Sequence, residues 1–237
     1  MTPEFPAPGQ VFLPGPMPRF GLPRYLGRQV QVAPDAPIGI FGHVICPAVL
    51  TPSLLAHVPR TAIIRDFHCV TTWTAPRVQW EGWRFTDVWA AALADSARPD
   101  VTHVMVSAHD GYQACVPLEE LMQPDVLLAD HMNGAPLTPA HGAPLRLIAP
   151  QLYGYKNIKH LRRLELLPAP VTSLAGRLLS HPRGRVDLEE RSATGVSRFW
   201  RWVYHTQLNG YLRGARALSE QGSRTRTGAG AEGSAMT

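Results

Sequence analysis

Cysteine is scarce: Cys46, Cys69 and Cys115 are the only three in 237 residues, and no two of them form a C-x-x-C pair. An odd number without such a pair gives no sign of a disulfide framework or a thiolate-based structural zinc site, and it fits a reducing compartment. A C-x-x-C-H haem attachment site is missing as well. No run of about 18 apolar residues occurs, so no transmembrane helix is expected. Residues 1–10 have neither the basic nor the apolar region of an export signal, and the chain is therefore expected to be cytoplasmic. Internal repeats are absent. Excess charge is absent from most of the chain: residues 1–170 carry 13 Lys+Arg against 13 Asp+Glu, whereas 171–237 carry 10 against 5. Without aromatic stacking platforms or a recognisable module, that excess reads as a solvated basic helix, and no nucleic-acid partner is expected.

What is present is enough for a core. With 45% hydrophobic residues in 26.0 kDa, a single domain can bury one. Prolines at 14, 16, 18 and 23 make the N-terminal arm extended. Gln29 to Val32 alternate as a strand does, Ile38 to Ile45 could form another, and Thr51-Pro52-Ser53-Leu54-Leu55 reads as a capped helical turn. Thr86 is a plausible N-cap for a helix reaching about Ser96. Strands are expected at Ala62–Phe67, His103–Ser107, Leu127–Met132, Ala143–Ile148 and Leu161–Leu167. Asp110-Gly111-Tyr112 is expected to turn, Leu118–Met122 to form a brief helix, and Asn133-Gly134 to close a hairpin. Leu174, Leu178 and Leu179 mark one further helix, and Val196 to Ala217 another that packs across the domain through its aromatics. Beyond Glu220 the Gly, Ser, Thr and Ala content predicts a flexible tail. Strands outnumber helices and are joined by turns, which makes the fold class α+β.

One stretch organises the rest. Arg65-Asp66-Phe67-His68-Cys69-Val70-Thr71-Thr72-Trp73 delivers a cysteine at the exit of an apolar strand, where a rigid scaffold presents reactive groups. A lone cysteine is most often simply buried. Its company changes the reading: Trp80-Glu81-Gly82, Pro117-Leu118-Glu119-Glu120-Leu121, His141-Gly142-Ala143-Pro144-Leu145-Arg146, and Tyr153-Gly154-Tyr155-Lys156-Asn157-Ile158-Lys159 follow in order. Together these resemble the molybdenum-cofactor oxidoreductases of the sulfite oxidase family, over roughly residues 12 to 167.

The resemblance implies a sulfite-oxidase-type fold of mixed sheets with short helices, binding Mo-molybdopterin. It implies that Cys69 is the metal ligand, a soft thiolate suited to a sulfur-rich centre. His141, Arg146, Asn157, Ile158 and Lys159 fall at positions that contact the pterin and its phosphate. His68 joins them, as do Ser107 and Ala108, where some relatives place a cofactor-contacting threonine. On this reading residues 1–170 form the cofactor-binding domain, 171–220 a helical extension and 221–237 the tail.

Sulfite oxidases place arginines in the loop after the metal cysteine, whereas Val70-Thr71-Thr72-Trp73-Thr74 resembles the bacterial branch of protein-methionine-sulfoxide reductases. Trp73, His109, Tyr112 and Tyr153 are candidates for the substrate pocket. The reaction implied is oxygen-atom transfer, with reduction of an S- or N-oxide favoured over oxidation of sulfite; Arg65, Arg77 or His109 could still supply an anion site. Electrons would come from, or go to, an external electron-transfer partner. The alternatives from other classes are an interaction module that keeps the fold without the cofactor, and a thiol enzyme using Cys69 with His68. Retention of Cys69, Arg146 and Lys159 together speaks against the first, and the alternation of adjacent strand residues against the second.

Overall fold

A computed structural model describes residues 7–13, 15, 17–19, 21, 25, 28, 30–171, 180–210 and 212–213. Two sheets dominate. The first is built on β5 (Trp73–Arg84), whose one edge pairs antiparallel with β4 (Arg60–His68). Its other edge takes β1 (Val11–Phe12) in parallel at Trp73 and Thr74, then β8 (Leu127–Met132) in antiparallel from Trp80 to Arg84. β8 pairs in turn with β9 (Ala135–Pro136) and β10 (Arg146–Ile148). The second sheet runs β3 (Ala48–Leu50), β2 (Ile38–Gly42), β11 (Leu161–Leu167), β6 (His103–Ala108), β7 (Gln113–Pro117).

Local chemistry accounts for the joints. β4 and β5 form a hairpin over residues 69–72, closed by Cys69 N–H donating to the Trp73 carbonyl at 2.9 Å. Pro76 sits inside β5, which a strand tolerates at an irregularity. The ladder shifts there between Arg65 and Phe67, Arg77 takes φ +51°, and its N–H is satisfied by the Asp66 carboxylate at 2.8 Å. Asn133 (φ +52°) and Gly134 (φ +76°) make the two-residue β8–β9 turn that their identities predict.

Helices are short. Thr51 caps α1 (Pro52–Leu55), its hydroxyl accepting from Leu54 N–H, and α3 (Leu118–Leu121) follows Pro117 as the sequence indicates. Thr86 is not an N-cap. α2 (Phe85–Val88) starts earlier because Phe85 N–H is held by the Val126 carbonyl, and residues Trp89–Leu93 then widen into a π-helical turn. β2 stops at Gly42, whose φ of +89° turns the chain so that His43 N–H meets the Leu166 carbonyl. Residues 30–32 are not a strand, and Gln29 lies outside the described residues. β10 is three residues long because 143–145 bond instead toward the start of β11, Leu145 accepting from Leu161 N–H.

Two apolar clusters form the core. One, around Ile40, Phe85, Val104, Leu128 and Leu164, fills the second sheet; the other, around Phe67, Cys69, Trp73, Trp80 and Ile148, backs the β4–β5 hairpin. Residues 197–210 are helical (α4), and Leu208 with Leu212 joins the second cluster. Of the aromatics of α4, Phe199 and Trp202 do not pack as expected, being 51% and 66% exposed, whereas Trp200 and Tyr204 are half-buried. The positions of Leu174, Leu178, Leu179 and the tail from 221 lie outside the described residues.

Candidate functional site

Cys69 opens the four-residue hairpin loop and lies against a cavity enclosing about 760 Å3, part of it open to solvent. Val70, Thr71 and Trp73 line it from the same hairpin, Ala108, Asp110 and Tyr112 from the β6–β7 turn, and Asn157, Ile158 and Lys159 from the approach to β11. Three stretches far apart in sequence therefore meet around one cavity. The Cys69 sulfur is 3.0 Å from the Thr71 hydroxyl, and burial pushes its pKa up, so the free protein holds a neutral thiol. A metal would have to displace that proton.

One side chain braces the middle of segment 153–160. Asn157 accepts from Ala149 N–H at 2.7 Å and donates to the Leu152 and Tyr153 carbonyls at 3.2 and 3.3 Å. This wraps the backbone around its amide and leaves Ile158 and Lys159 facing the cavity. Lys159 donates to the Ala140 carbonyl at 2.8 Å. Gly142, at φ +107°, packs flat on the Lys159 stem, where a Cβ would stand 3.0 Å from the Lys159 Cβ. His141 is fixed through both ring nitrogens, to Thr138 Oγ1 at 3.0 Å and the Met17 carbonyl at 3.1 Å. Burial, then the Lys159 charge, pushes its pKa down to about 4.

Arg146 is completely buried behind this segment, donating to the carbonyls of His141 at 2.8 Å and Asn157 at 3.3 Å. Its guanidinium lies 5.0 Å from the Trp80 ring and 5.6 Å from that of Phe67. Among the described residues no carboxylate pairs with it, and its Nε has no hydrogen-bond partner. Desolvation pushes its pKa down to about 9. Burial also lowers that of Lys159, with the Arg146 charge as the next cause. Two neighbouring cations in a poorly solvated place favour an anion beside them.

The cavity does not collect every candidate. His68 faces away from Cys69, with Nδ1 on the Thr74 hydroxyl at 2.8 Å, and burial takes its pKa to about 4. Ser107 alternates away from Ala108 and accepts from Gln113 at 3.0 Å. His109 is exposed and Tyr153 is fully buried, and neither lines the cavity. Tyr155, stacked on Tyr153 at 6.5 Å, lines it instead, together with Gly21 and Tyr25 of the arm. Tyr112 donates to the Tyr155 carbonyl at 2.7 Å, and burial raises its pKa. Arg65 is engaged with Asp125 at 2.9 Å, and no arginine lines the cavity among the described residues.

Sequence reasoning also passed over Lys156 as part of the frame. It and Lys159 are the two lysines of the chain, and Lys156 is buried under the same segment. It donates to the Cys115 and Pro182 carbonyls at 2.6 Å each. Their restriction to this one segment was a signal available in the sequence.

Residues 30–174 match the family described as oxidoreductase molybdopterin binding domain. The chain belongs to the molybdopterin oxidoreductases of the sulfite oxidase family. It is 34% identical over 126 residues to the oxidoreductase YuiH of Bacillus subtilis (strain 168), covering 53% of this chain and 62% of that protein. The protein-methionine-sulfoxide reductase catalytic subunit MsrP of Campylobacter jejuni is 30% identical over 141 residues, covering 54% of this chain and 48% of MsrP. Human mitochondrial sulfite oxidase is 36% identical over 98 residues, 38% of this chain but 18% of that protein. The chain thus spans less than two thirds of the length of each of these relatives. The sulfane dehydrogenase SoxCD from Paracoccus pantotrophus shares the fold, with a TM-score of 0.56 at 23% identity over 66% of this chain and 45% of that one. The mixed α+β architecture is therefore that of the sulfite oxidase family. No helix among the described residues is long and apolar enough to cross a membrane.

Proposed function

We propose that this chain is a molybdopterin-dependent oxidoreductase that transfers an oxygen atom, with an uncharged or weakly polar S- or N-oxide as the substrate class. One observation carries the reading: a single cavity joins the Cys69 loop to the Asn157–Lys159 segment, with the buried Arg146 guanidinium behind it and no carboxylate to balance it among the described residues. That arrangement suits a cofactor with a metal at one end and a phosphate at the other. Cys69 would hold the metal as a thiolate, and Lys159 would hold the pterin phosphate end with His141 and Arg146 behind it, Asn157 and Ile158 presenting the backbone around it. When bound, the cofactor supplies two-electron oxygen-atom exchange with a substrate lone pair.

The residues of this chain then shape access. Tyr112, Tyr155, Trp73 and Tyr25 provide aromatic walls, and among the described residues Lys159 and Asp110 are the charged groups on the lining. A dianion entering there would lose hydration without an arginine among the described lining residues to replace it, whereas a neutral oxide loses little. Oxidation of sulfite is the second reading, supported by the likeness to sulfite oxidase. We take residues 1–170 as the cofactor-binding unit and 171–220 as its extension, with an external protein exchanging the electrons.

The test is metal and pterin analysis of protein expressed with molybdenum available, followed by both half-reactions with artificial electron carriers. About one molybdenum per chain is expected, with reduction of the oxide exceeding oxidation of sulfite. Cys69→Ser should lose the sulfur-to-metal absorption band and turnover. Absence of molybdenum under replete conditions overturns the assignment, and higher kcat/KM for sulfite overturns the substrate class.

A further inference from the structure

The loop after Cys69 is short, buried and strained. Thr72 is fully buried at φ +67°, a left-handed conformation that is strained for a β-branched residue and persists only where its surroundings impose it. Those surroundings come largely from outside residues 30–174. The Cys69 carbonyl accepts from Gln10 Nε2 at 3.0 Å, and the Thr72 carbonyl from Val11 N–H at 2.8 Å. The Val70 carbonyl accepts from Arg191 Nη1 at 2.6 Å. Thr72 Oγ1 lies 3.4 Å from His205 Nδ1 on α4.

Arg191 joins these ties into one device. Its guanidinium is completely buried, and its three nitrogens are divided between three segments: Nη1 to Val70, Nη2 to the Pro8 carbonyl at 2.9 Å, and Nε to Glu189 at 3.1 Å. Glu189 is also paired with Arg201 of α4. Arg201 in turn packs on Gly9, where a Cβ would overlap its side chain. The Arg191 guanidinium also lies 5.1 Å from the Tyr153 ring, at the head of the cofactor segment.

We propose that Arg191 is a positioning residue for Cys69, the centre of a clasp in which the N-terminal arm and the C-terminal extension hold the strained Cys69–Thr72 loop from outside. Its functional meaning rests on Cys69 as the metal ligand, since a thiolate ligand must be presented in one orientation. A planar fork with three separately engaged nitrogens suits this task; an ammonium on a flexible stem cannot reach all three.

The experiment is hydrogen exchange by mass spectrometry on the full chain, comparing wild type with Arg191→Met and Arg191→Lys. Exchange in a peptide covering 68–74 should rise about tenfold in Arg191→Met, with Arg191→Lys close behind, while peptides from β11 exchange as in wild type. In molybdenum-replete protein the same variants should displace the sulfur-to-metal absorption band. If wild type binds no molybdenum the cofactor reading fails, but the exchange comparison still decides the clasp. Unchanged exchange at 68–74, or a rise spread equally over the chain, overturns it. Should Arg191→Met fail to fold, Gln10→Ala and His205→Ala each cut a single tie, and unchanged loop exchange in both overturns it equally.

Discussion

Burial of the His68 ring, with the Thr74 hydroxyl as its hydrogen-bond partner among the described residues, pushes its pKa down to about 4, and His141 is held at a similar value. In the unfolded chain both would bind a proton near pH 6.5. The unfolded state therefore binds more protons between these values, and stability present above pH 6.5 is lost as the pH falls toward 4. Each histidine contributes on the order of 3 kcal/mol to that loss. His68→Gln should flatten the acid side of the stability profile by about that amount, measured by urea unfolding of the cofactor-free protein at pH 7 and pH 4.5. An unchanged slope would show that His68 is not buried neutral. The same geometry separates His68 from Cys69 and removes the thiol-enzyme alternative, since neither ring nitrogen is shown bonded to the sulfur.

Among the elements, β5 carries the most constraints, being paired on both edges. Gly82 lies there between β4 and β8, and a Cβ at this position would overlap the Leu128 carbonyl. Gly82→Ala should cost about 3 kcal/mol, seen as a lower denaturant midpoint with an unchanged m-value. Trp80-Glu81-Gly82 was legible in the sequence as a motif; its reason, close approach of two strand backbones, was not. The strand delivering Cys69 was legible because Ile63 and Ile64 sit between turn signals. Phase within short segments was harder: the alternation that separates Ser107 from Ala108 needs the pairing with β7, and exchanging Tyr153 for Tyr155 on the cavity wall needs the turn at Gly154–Lys156. Least legible was Arg191, which acts on Val70 from 121 residues away.

For the molecule as a whole, the C-terminal extension is joined to the site rather than merely following it. Gly184 accepts from Tyr153 N–H, Val186 donates to Gln151, and Arg185 reaches the buried Glu120 at 3.5 Å. Deleting the chain from Val196 removes Arg201, His205 and the buried Leu208, so the melting temperature should fall by about 5 °C or more. Removing 221–237, which offers little apolar surface, should leave it unchanged. Equal melting temperatures for the two truncations would contradict this division. The exposure of Phe199 and Trp202 shifts the expected cause of the loss from those aromatics to Leu208 and the polar ties.

The contacts of Arg191 also have an order in time. Its partners Pro8 and Val70 precede it by 183 and 121 residues. At synthesis rates of about 5–20 residues per second, the cysteine loop leaves the ribosome on the order of ten seconds before the arginine that fastens it. During that interval the β4–β5 hairpin can form while its loop stays open on the side later covered by the extension. Fastening of the cysteine loop by the extension is thus a late event of biosynthesis.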